Sequence, residues 1–425
     1  MKTYYINREN IGRILSSIRE KRTYKSNMKE KVLEIIENVR RRGDEALIEY
    51  TKAFDNVILT KDTIRVKSEE IKNAYNYVSE EQIRALKILK ENIERVEKET
   101  FDRMFFKVEN DGLQIIQTLR PLNSVGCYIP GGEAAYPSTV LMAAVPAKVA
   151  GVKRIAIVSP PKNLKPILLV AADIANVSEV YRIGGAHAIA ALAYGTETVK
   201  PVDKIVGPGG KYVTLAKEAV ASYATIDMLA GPSELIVYTD NDENSEQIVL
   251  DLIAQAEHSP DTLCGLVTTS SDLIKRVVNL LPDYINSSYR RDVVNSAIEN
   301  NGFLALAEEE DVAIDFINEL APEHLEIFSK NYQKILDSIN DAGAIVVNGS
   351  SVLTDYYCGI NHILPTTGQA KYRGGLSCLD FVKVIKISVP SDRYSEKILF
   401  VVNQLGKSEG LLNHVNSLKH KIQRE

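Results

Sequence analysis

The stretch RIAIVS (residues 154–159), an apolar segment over residues 164–175 and EVYRI (residues 179–183) follow one another in the chain. The two outer segments are short and rich in β-branched residues, as is typical of buried strands, and the segment between them has the length of a helix. Strands that alternate with helices form βαβ units, whose strands lie parallel in one sheet. This stretch therefore predicts an α/β fold with a mainly parallel sheet.

The same alternation extends in both directions along the chain. Further strand-like segments, each followed by a helical pattern or a glycine turn, are SVGCYI (124–129), KIV (204–206), ELIVYT (234–239), LCGLVTT (263–269), FLALA (303–307) and GAIVVN (343–348). Before about residue 100 the apolar residues recur at three- and four-residue steps, which indicates helices. After residue 382 we expect one short strand, VIKISV (384–389), and two polar helices. The pattern predicts two α/β units.

Length and composition exclude several classes of protein. A chain of 425 residues is too long for one ordinary core, and its 45% hydrophobic and 25% charged residues are typical of globular proteins. The net charge of -5 is spread along the chain, so no nucleic-acid-binding surface stands out. The most apolar run, residues 139–152, is shorter than the roughly 20 residues that cross a bilayer. Four cysteines without a Cys-x-x-Cys pair fit a reducing compartment. We expect a cytoplasmic protein that binds neither nucleic acid nor membranes.

Four of the six histidines lie in short polar segments. These segments are QAEH (255–258), PEH (322–324), TDYYCGINHILPT (354–366, with Asp355 and His362) and EGLLNH (409–414). Histidine is a frequent metal ligand and general base, so this clustering favours an enzyme. Each segment alone has a plainer explanation: Gln255 and His258 as a helix cap, Glu323 and His324 as an exposed loop pair, and His362 as a loop anchor.

Glycine-rich turns follow three of the predicted strands, at residues 130–132, 184–185 and 207–210. Such turns allow a phosphate to approach the start of a helix, but they also occur for steric reasons alone. No Gly-x-Gly-x-x-Gly motif is present, so a nucleotide site and a structural role both stay open. Asp355 follows the strand at 344–347, beyond its carboxyl end, where open α/β sheets place their ligands.

Taken together, these segments resemble the histidinol dehydrogenase family from about residue 30 to the C-terminus. The matching motifs are RGDEAL (42–47), YTKAFD (50–55), CYIPGG (127–132), GPG (207–209), IDMLAGPSE (226–234), QAEH (255–258), APEH (321–324), NHILPT (361–366) and EGL (409–411). The resemblance implies two incomplete Rossmann-like domains with mainly parallel sheets and small terminal extensions. It places residues 24–124 and 238–372 in the first domain and 125–237 in the second, on the NAD side. It also implies that residues 1–23 form a helical N-terminal extension and that residues 373–425 are exchanged between the subunits of a homodimer.

The family resemblance also implies an activity and a set of site residues. Family members oxidise L-histidinol through L-histidinal to L-histidine, the last steps of histidine biosynthesis, with two NAD. The residues that match the zinc ligands are Gln255, His258, Asp355 and His414. His324 matches the base that takes the hydroxyl proton, and Glu323 the group that activates water. Substrate contacts are implied for Ser233, Glu409, His324 and the four zinc ligands, with Glu409 and His414 supplied by the partner chain.

The predicted cofactor contacts differ from the family pattern at two positions. Tyr128 matches a family tyrosine, whereas His187 stands in place of a glutamine and Gly210 in place of an asparagine. A histidine can still donate a hydrogen bond to a ribose or phosphate, but a glycine cannot replace an amide side chain.

Other functions compete with this interpretation. A related dehydrogenase could oxidise another amino alcohol or a diol with the same zinc and NAD. A zinc hydrolase could use Glu323 to activate water, and a dimeric scaffold would need no catalytic residue. Cys127 could act as a nucleophile in aldehyde oxidation, although a small buried side chain is the better explanation for it.

Overall fold

A computed structural model describes residues 1–19, 26–131, 135–390 and 395–422. The strands are β1 (Lys2–Ile6), β2 (Phe106–Asn110), β3 (Leu113–Pro121), β4 (Ser124–Tyr128), β5 (Arg154–Val158), β6 (Glu179–Tyr181), β7 (Lys204–Val206), β8 (Thr225–Ile226), β9 (Glu234–Thr239), β10 (Leu263–Thr268), β11 (Phe303–Ala307), β12 (His324–Phe328), β13 (Ala344–Val347) and β14 (Val382–Pro390). The α-helices are α1 (Ile11–Arg19), α2 (Ser26–Arg42), α3 (Asp44–Asp55), α4 (Lys61–Ile64), α5 (Ser68–Ala74), α6 (Glu80–Asp102), α7 (Pro137–Val149), α8 (Pro166–Ile174), α9 (Gly185–Tyr194), α10 (Lys211–Val220), α11 (Ser245–Ala256), α12 (Ser271–Ser287), α13 (Arg291–Asn301), α14 (Glu310–Leu320), α15 (Tyr332–Leu336), α16 (Val352–Tyr356), α17 (Glu396–Ser408) and α18 (Leu412–Ile422).

A six-stranded parallel sheet has the order β1-β11-β10-β9-β12-β13. Helices α1 and α14 cover one face, and α11, α12 and α13 cover the other. Strands β9 and β10 are buried at every position. This explains their continuous apolar sequences, because a strand covered on both faces has no solvent-facing side to carry polar residues.

A five-stranded parallel sheet has the order β6-β5-β4-β7-β8. Helices α5, α6, α7 and α8 pack on one face, and α2, α3, α9 and α10 on the other. Helix α7 is apolar around its whole circumference because it lies between the sheet and helices α6 and α8. The predicted α/β fold with mainly parallel sheets is confirmed.

A small antiparallel sheet, in the order β14-β3-β2, lies outside these two units. Strand β14 extends the predicted VIKISV segment, and it is exposed along almost its whole length. Helices α17 and α18 pack against each other, and α17 has no buried residue. Within the described ranges, no helix combines the length and the apolar character needed to span a bilayer.

The packing differs in two respects from the expected division into domains, which stays a prediction. Residues 24–124 were expected to join 238–372. Helices α2, α3, α5 and α6 instead pack on the unit of the five-stranded sheet, because their apolar faces are buried against its helices α7, α8, α9 and α10. The expected helical extension at residues 1–23 begins with β1, which pairs with β11 at the edge of the six-stranded sheet.

Candidate active site

A cleft of about 690 Å³ lies between the two α/β units. It is lined by Met28, Pro130, Tyr136, Ser138, Thr139, Pro208, Gly209, Gly210, Lys211, Tyr212, Ala230, Gly231, Pro232, Ser233, Gln255, Glu257, His258, Ser259, Asp261, Arg290, Glu323, His324, Asp355, Tyr356 and His362. Seven of the predicted site residues are in this set: Ser233, Gln255, His258, Glu323, His324, Asp355 and Gly210. The cleft therefore joins the predicted catalytic residues to one of the glycine turns.

The two sheets face the cleft with opposite edges. The five-stranded sheet contributes the turns after β4 and β7, which are carboxyl ends of strands. The six-stranded sheet contributes Ser233, just before β9, and Glu323 and His324 at the start of β12, which are amino ends. We expected Asp355 to place the ligand site at the carboxyl ends of its sheet. This expectation is wrong, because the six-stranded sheet faces the cleft with the amino ends of its strands.

Asp355 reaches the amino edge because the chain turns back after β13. Asn348 contacts Ser329 beyond the carboxyl end of β12, and the Ser351 N–H donates to Glu326 in the middle of that strand. Asp355 then lies where its charge acts on His324, the first residue of β12. Residues 348–355 thus run antiparallel to β12 and carry the carboxylate back to the cleft.

Glu323 is held by a reciprocal pair of hydrogen bonds with Glu234. The Glu234 N–H donates to Glu323 Oε2 (2.7 Å), and the Glu323 N–H donates to Glu234 Oε2 (3.2 Å). Glu234 Oε1 also accepts a hydrogen bond from the Thr367 N–H (2.8 Å). Because β9 and β12 are hydrogen-bonded neighbours, the orientation of the Glu323 carboxylate is set by the sheet itself.

His324 is buried at the bottom of the cleft, with 4% of its surface exposed. Burial lowers the pKa of its imidazole to about 4, with Asp355 acting in the opposite direction and His362 and His258 acting in the same direction. The ring is therefore neutral near pH 7 and able to accept a proton. Its Nδ1 is buried and has no hydrogen-bond partner in the described part of the chain.

His362 links the two α/β units across the cleft. Its Nδ1 lies 3.4 Å from Asp355 Oδ1, and its Nε2 is hydrogen-bonded to Thr139 Oγ1 (3.0 Å) on α7. Burial alone would raise the pKa of Asp355, but the hydrogen bond with His362 and the nearby imidazoles hold it below its usual value. His362 thus has both ring nitrogens engaged, which agrees with its interpretation as a loop anchor.

Gln255 and His258 lie at the C-terminal end of α11. Gln255 is buried, and the His258 N–H donates to the Gln255 carbonyl (3.1 Å). Although His258 keeps contact with solvent, the surrounding protein displaces water from its ring and lowers its pKa, while Asp355 acts to raise it. Both side chains line the same cleft as Asp355.

The described residues of one chain do not complete a metal site by themselves. Among them, no group of three His, Cys, Asp or Glu side chains is arranged to hold a metal ion. For a metal ion at this place, His258 and Asp355 would offer two ligands of these types, and Gln255 would add an amide oxygen. A metal ion bound here would need further ligands from a substrate or another chain.

The structure separates the other predicted residues from the cleft. Tyr128 and His187 are buried, and of the three predicted cofactor contacts only Gly210 is part of the lining. The Gly185 N–H donates to the Tyr128 hydroxyl (3.1 Å), whereas His187 lies on α9 against α3. Glu409 and His414 lie in the exposed tail, Glu409 just after α17 and His414 within α18. Glu409 therefore precedes the helix that carries His414.

Two contacts across the cleft had no signal in the sequence. Thr139 is a polar residue within the apolar helix α7, and only its bond to His362 indicates a role for it. Lys211, at the start of α10, forms an ion pair with Asp261 before β10 (3.0 Å). Neither pair is close in sequence, so spacing could not have predicted them.

Comparison with known proteins gives a consistent result. The family model for histidinol dehydrogenase matches residues 18–422. The histidinol dehydrogenase of Clostridium acetobutylicum is 45% identical, with 91% of this chain and 90% of the relative covered. That of Methanocaldococcus jannaschii is 42% identical, with 92% of each covered. The crystal structure of histidinol dehydrogenase from Elizabethkingia anophelis is 32% identical and superposes with a TM-score of 0.93 over 100% of this chain and 98% of that chain. The chain therefore belongs to the histidinol dehydrogenase family, and it is an oxidoreductase of histidine biosynthesis.

Proposed function

We propose that the protein oxidises L-histidinol through L-histidinal to L-histidine in the cytoplasm, with one zinc ion per site and two NAD reduced. The observation that carries this proposal is the cleft that brings Glu323, His324, Gln255, His258 and Asp355 together. A buried neutral imidazole, a fixed carboxylate and a set of oxygen and nitrogen ligands are the groups that this reaction requires.

Gln255, His258 and Asp355 would hold the zinc ion from this chain. Their amide oxygen, imidazole nitrogen and carboxylate oxygen form a mixed ligand set that zinc accepts. Zinc, when bound, would act as a Lewis acid and orient the amine and imidazole of the substrate. His362 would keep the Asp355 carboxylate in place, because it bonds to Asp355 on one side and to Thr139 on the other.

His324 and Glu323 divide the two oxidation steps between them. In the first step His324 accepts the hydroxyl proton as the substrate carbon loses a hydride, which leaves the aldehyde. In the second step Glu323 takes a proton from the water that adds to the aldehyde, and the hydrate loses a second hydride to become the carboxylic acid. NAD, when bound, would supply the hydride acceptor for both steps.

The turn at residues 207–210 is the proposed NAD side of the cleft. It follows the carboxyl end of β7 and leads into α10, an arrangement suited to a phosphate group. Gly207 has a φ of 111°, and a Cβ there would lie 2.1 Å from the Tyr128 carbonyl oxygen. The Gly207 N–H donates to Asp227 Oδ2 (2.7 Å), and the Gly207 carbonyl oxygen accepts from Lys217 Nζ (3.0 Å). Both backbone polar groups of Gly207 are therefore held by side chains.

A homodimer in which Glu409 and His414 enter the partner's cleft would complete each site. The tail exposes Phe400 (64%) and Leu405 (56%), and the region around Asp355 exposes Leu353 (48%) and Tyr356 (63%). Apolar side chains exposed in two places on one chain favour burial against a second copy.

The oxidation is tested by following NADH absorbance after the zinc-loaded protein receives L-histidinol. We expect two NADH per histidinol for the wild type, and loss of both steps in His324→Ala. Glu323→Gln should still form about one NADH per site in a single turnover, because water activation is needed only for the second step. The exposed His420→Ala serves as a control. Turnover of simple amino alcohols but not of histidinol would instead support the related dehydrogenase.

Shared sites are tested by co-expressing His324→Ala and His414→Ala chains. If His414 acts in the partner's cleft, each mixed dimer has one intact site, and random pairing restores about a quarter of the wild-type activity. No recovery in isolated mixed dimers would show that both residues act within one chain.

A further inference from the structure

Two buried carboxyl groups lie beneath the cleft, outside the set of residues assigned above. Asp251 of α11 is 3% exposed, and Glu326 of β12 is fully buried. Each accepts a hydrogen bond from the same short segment, Asp251 from Ser350 and Glu326 from Ser351, so the two carboxyl groups lie next to each other. Burial and a neighbouring carboxylate both disfavour a second negative charge at such a point.

Each carboxyl group is tied to the segment that precedes α16. Asp251 Oδ1 accepts a hydrogen bond from Ser350 Oγ (2.6 Å), and Glu326 Oε1 accepts one from the Ser351 N–H (2.5 Å). Asp251 also accepts from Gln247 Nε2 (3.0 Å) within α11. The two side chains therefore join α11, β12 and the start of α16 at one point.

The surroundings of the pair disfavour a negative charge on both carboxyl groups. Within the described part of the chain, no lysine, arginine or histidine forms an ion pair with either carboxyl group. Burial raises the pKa of Glu326 to about 8, and the charge of Asp251 acts in the same direction. Glu326 Oε2 is buried and has no hydrogen-bond partner among the described residues, so no donor there stabilises a negative charge.

On each of the three elements that the pair joins, a residue of the cleft lies within four residues in the sequence. Gln255 lies four residues after Asp251, one helical turn along α11. Asp355 lies four residues after Ser351, again one turn along the chain. His324 and Glu326 are two apart on β12, so their side chains lie on the same face of the sheet. The pair thus lies one layer beneath three residues of the cleft.

We propose that the buried pair Asp251 and Glu326 acts as two positioning residues, which hold Gln255 and Asp355 at the spacing that the zinc ion requires. The inference rests on the proposed function, because the proposed function assigns Gln255 and Asp355 as zinc ligands. A group that orients metal ligands in this way changes metal affinity about 10- to 100-fold when it is removed.

The experiment measures zinc affinity of the full-length protein by competition with a chromophoric chelator, without substrate or NAD. Glu326→Gln keeps an acceptor for the Ser351 N–H, and we expect its zinc affinity to stay within about threefold of the wild type. Glu326→Leu removes that acceptor, and we expect a loss of about tenfold or more. If Glu326→Leu does not fold, Ser350→Ala removes one bond to Asp251 and should lower zinc affinity by a smaller factor in the same direction.

Glu97→Leu is the matched control for the loss of a buried carboxyl group. Glu97 is 3% exposed, accepts from the Cys378 N–H (2.7 Å) and lies on α6, away from the cleft. It should lower stability without lowering zinc affinity. Equal zinc affinity in Glu326→Leu and the wild type would overturn the positioning role of the pair. Equal losses in Glu326→Gln and Glu326→Leu would overturn it as well. A wild-type protein that does not bind zinc would instead overturn the proposed function, and the inference with it.

Discussion

Replacement of His187 by glutamine should remove a loss of stability that the protein suffers in acid. His187 is 1% exposed on α9, next to the rings of Tyr50 and Phe54. Its Nε2 lies 3.4 Å from Thr51 Oγ1, and its Nδ1 has no hydrogen-bond partner among the described residues. Burial lowers the pKa of this imidazole to about 3. Glutamine is similar in length and does not titrate.

The sign and size of the effect follow from the difference in pKa between the folded and unfolded states. An unfolded histidine titrates near 6.5, so below that pH the unfolded chain binds a proton that the folded chain does not bind until about pH 3. The unfolding free energy that the neutral His187 contributes is therefore fully present above pH 6.5, and it decreases as the pH falls below that value. Since one pKa unit corresponds to about 1.4 kcal/mol, this residue should cost about 2 kcal/mol of unfolding free energy between pH 7 and pH 5.

Urea unfolding at pH 7, 6 and 5, at one fixed protein concentration, measures this effect. The unfolding free energy of His187→Gln should fall about 2 kcal/mol less than that of the wild type over this range. His420→Gln, an exposed change on α18, should follow the wild type. Parallel pH dependence of the wild type and His187→Gln would refute the assignment of a buried, neutral imidazole.

Three further changes test the core, the glycine turn and the cysteine alternative. Phe381→Ala empties a fully buried position in the core beside the five-stranded sheet and should lower the free energy of urea unfolding by about 3–5 kcal/mol; a loss below 1 kcal/mol would contradict this packing. Gly207→Ala should raise the KM for NAD in steady-state assays and leave the KM for histidinol unchanged, because the new Cβ would clash with the Tyr128 backbone. Gly374→Ala places its Cβ in open space and should change neither KM. Cys127→Ser should retain full NADH production, because burial raises the pKa of the thiol and the residue is outside the cleft lining; inactivity of a folded variant would favour a nucleophilic cysteine.

Local pattern predicted the strands and helices that carry most of the core. The segments ELIVYT and LCGLVTT became β9 and β10 almost residue for residue, because fully buried strands need continuous apolar sequences. The residues before about 100 were predicted as mainly helical, so β1 was missed there, and β2 and β3 after them were missed as well. Strand β1 has mostly exposed side chains and is held by pairing with β11, a partner distant in the sequence. A strand stabilised by such a distant partner leaves little local signal.

The sequence by itself determined which kinds of side chain the site contains, since the four polar histidine segments and the family motifs are readable without coordinates. Tertiary structure alone decided where those side chains meet. The return of residues 348–355 along β12 brings Asp355 to the amino edge of one sheet, opposite the carboxyl edge of the other. The packing of α9 against α3 buries His187, which was expected to face NAD. Burial and chain direction depend on contacts between segments far apart in the sequence, so only the folded chain specifies them.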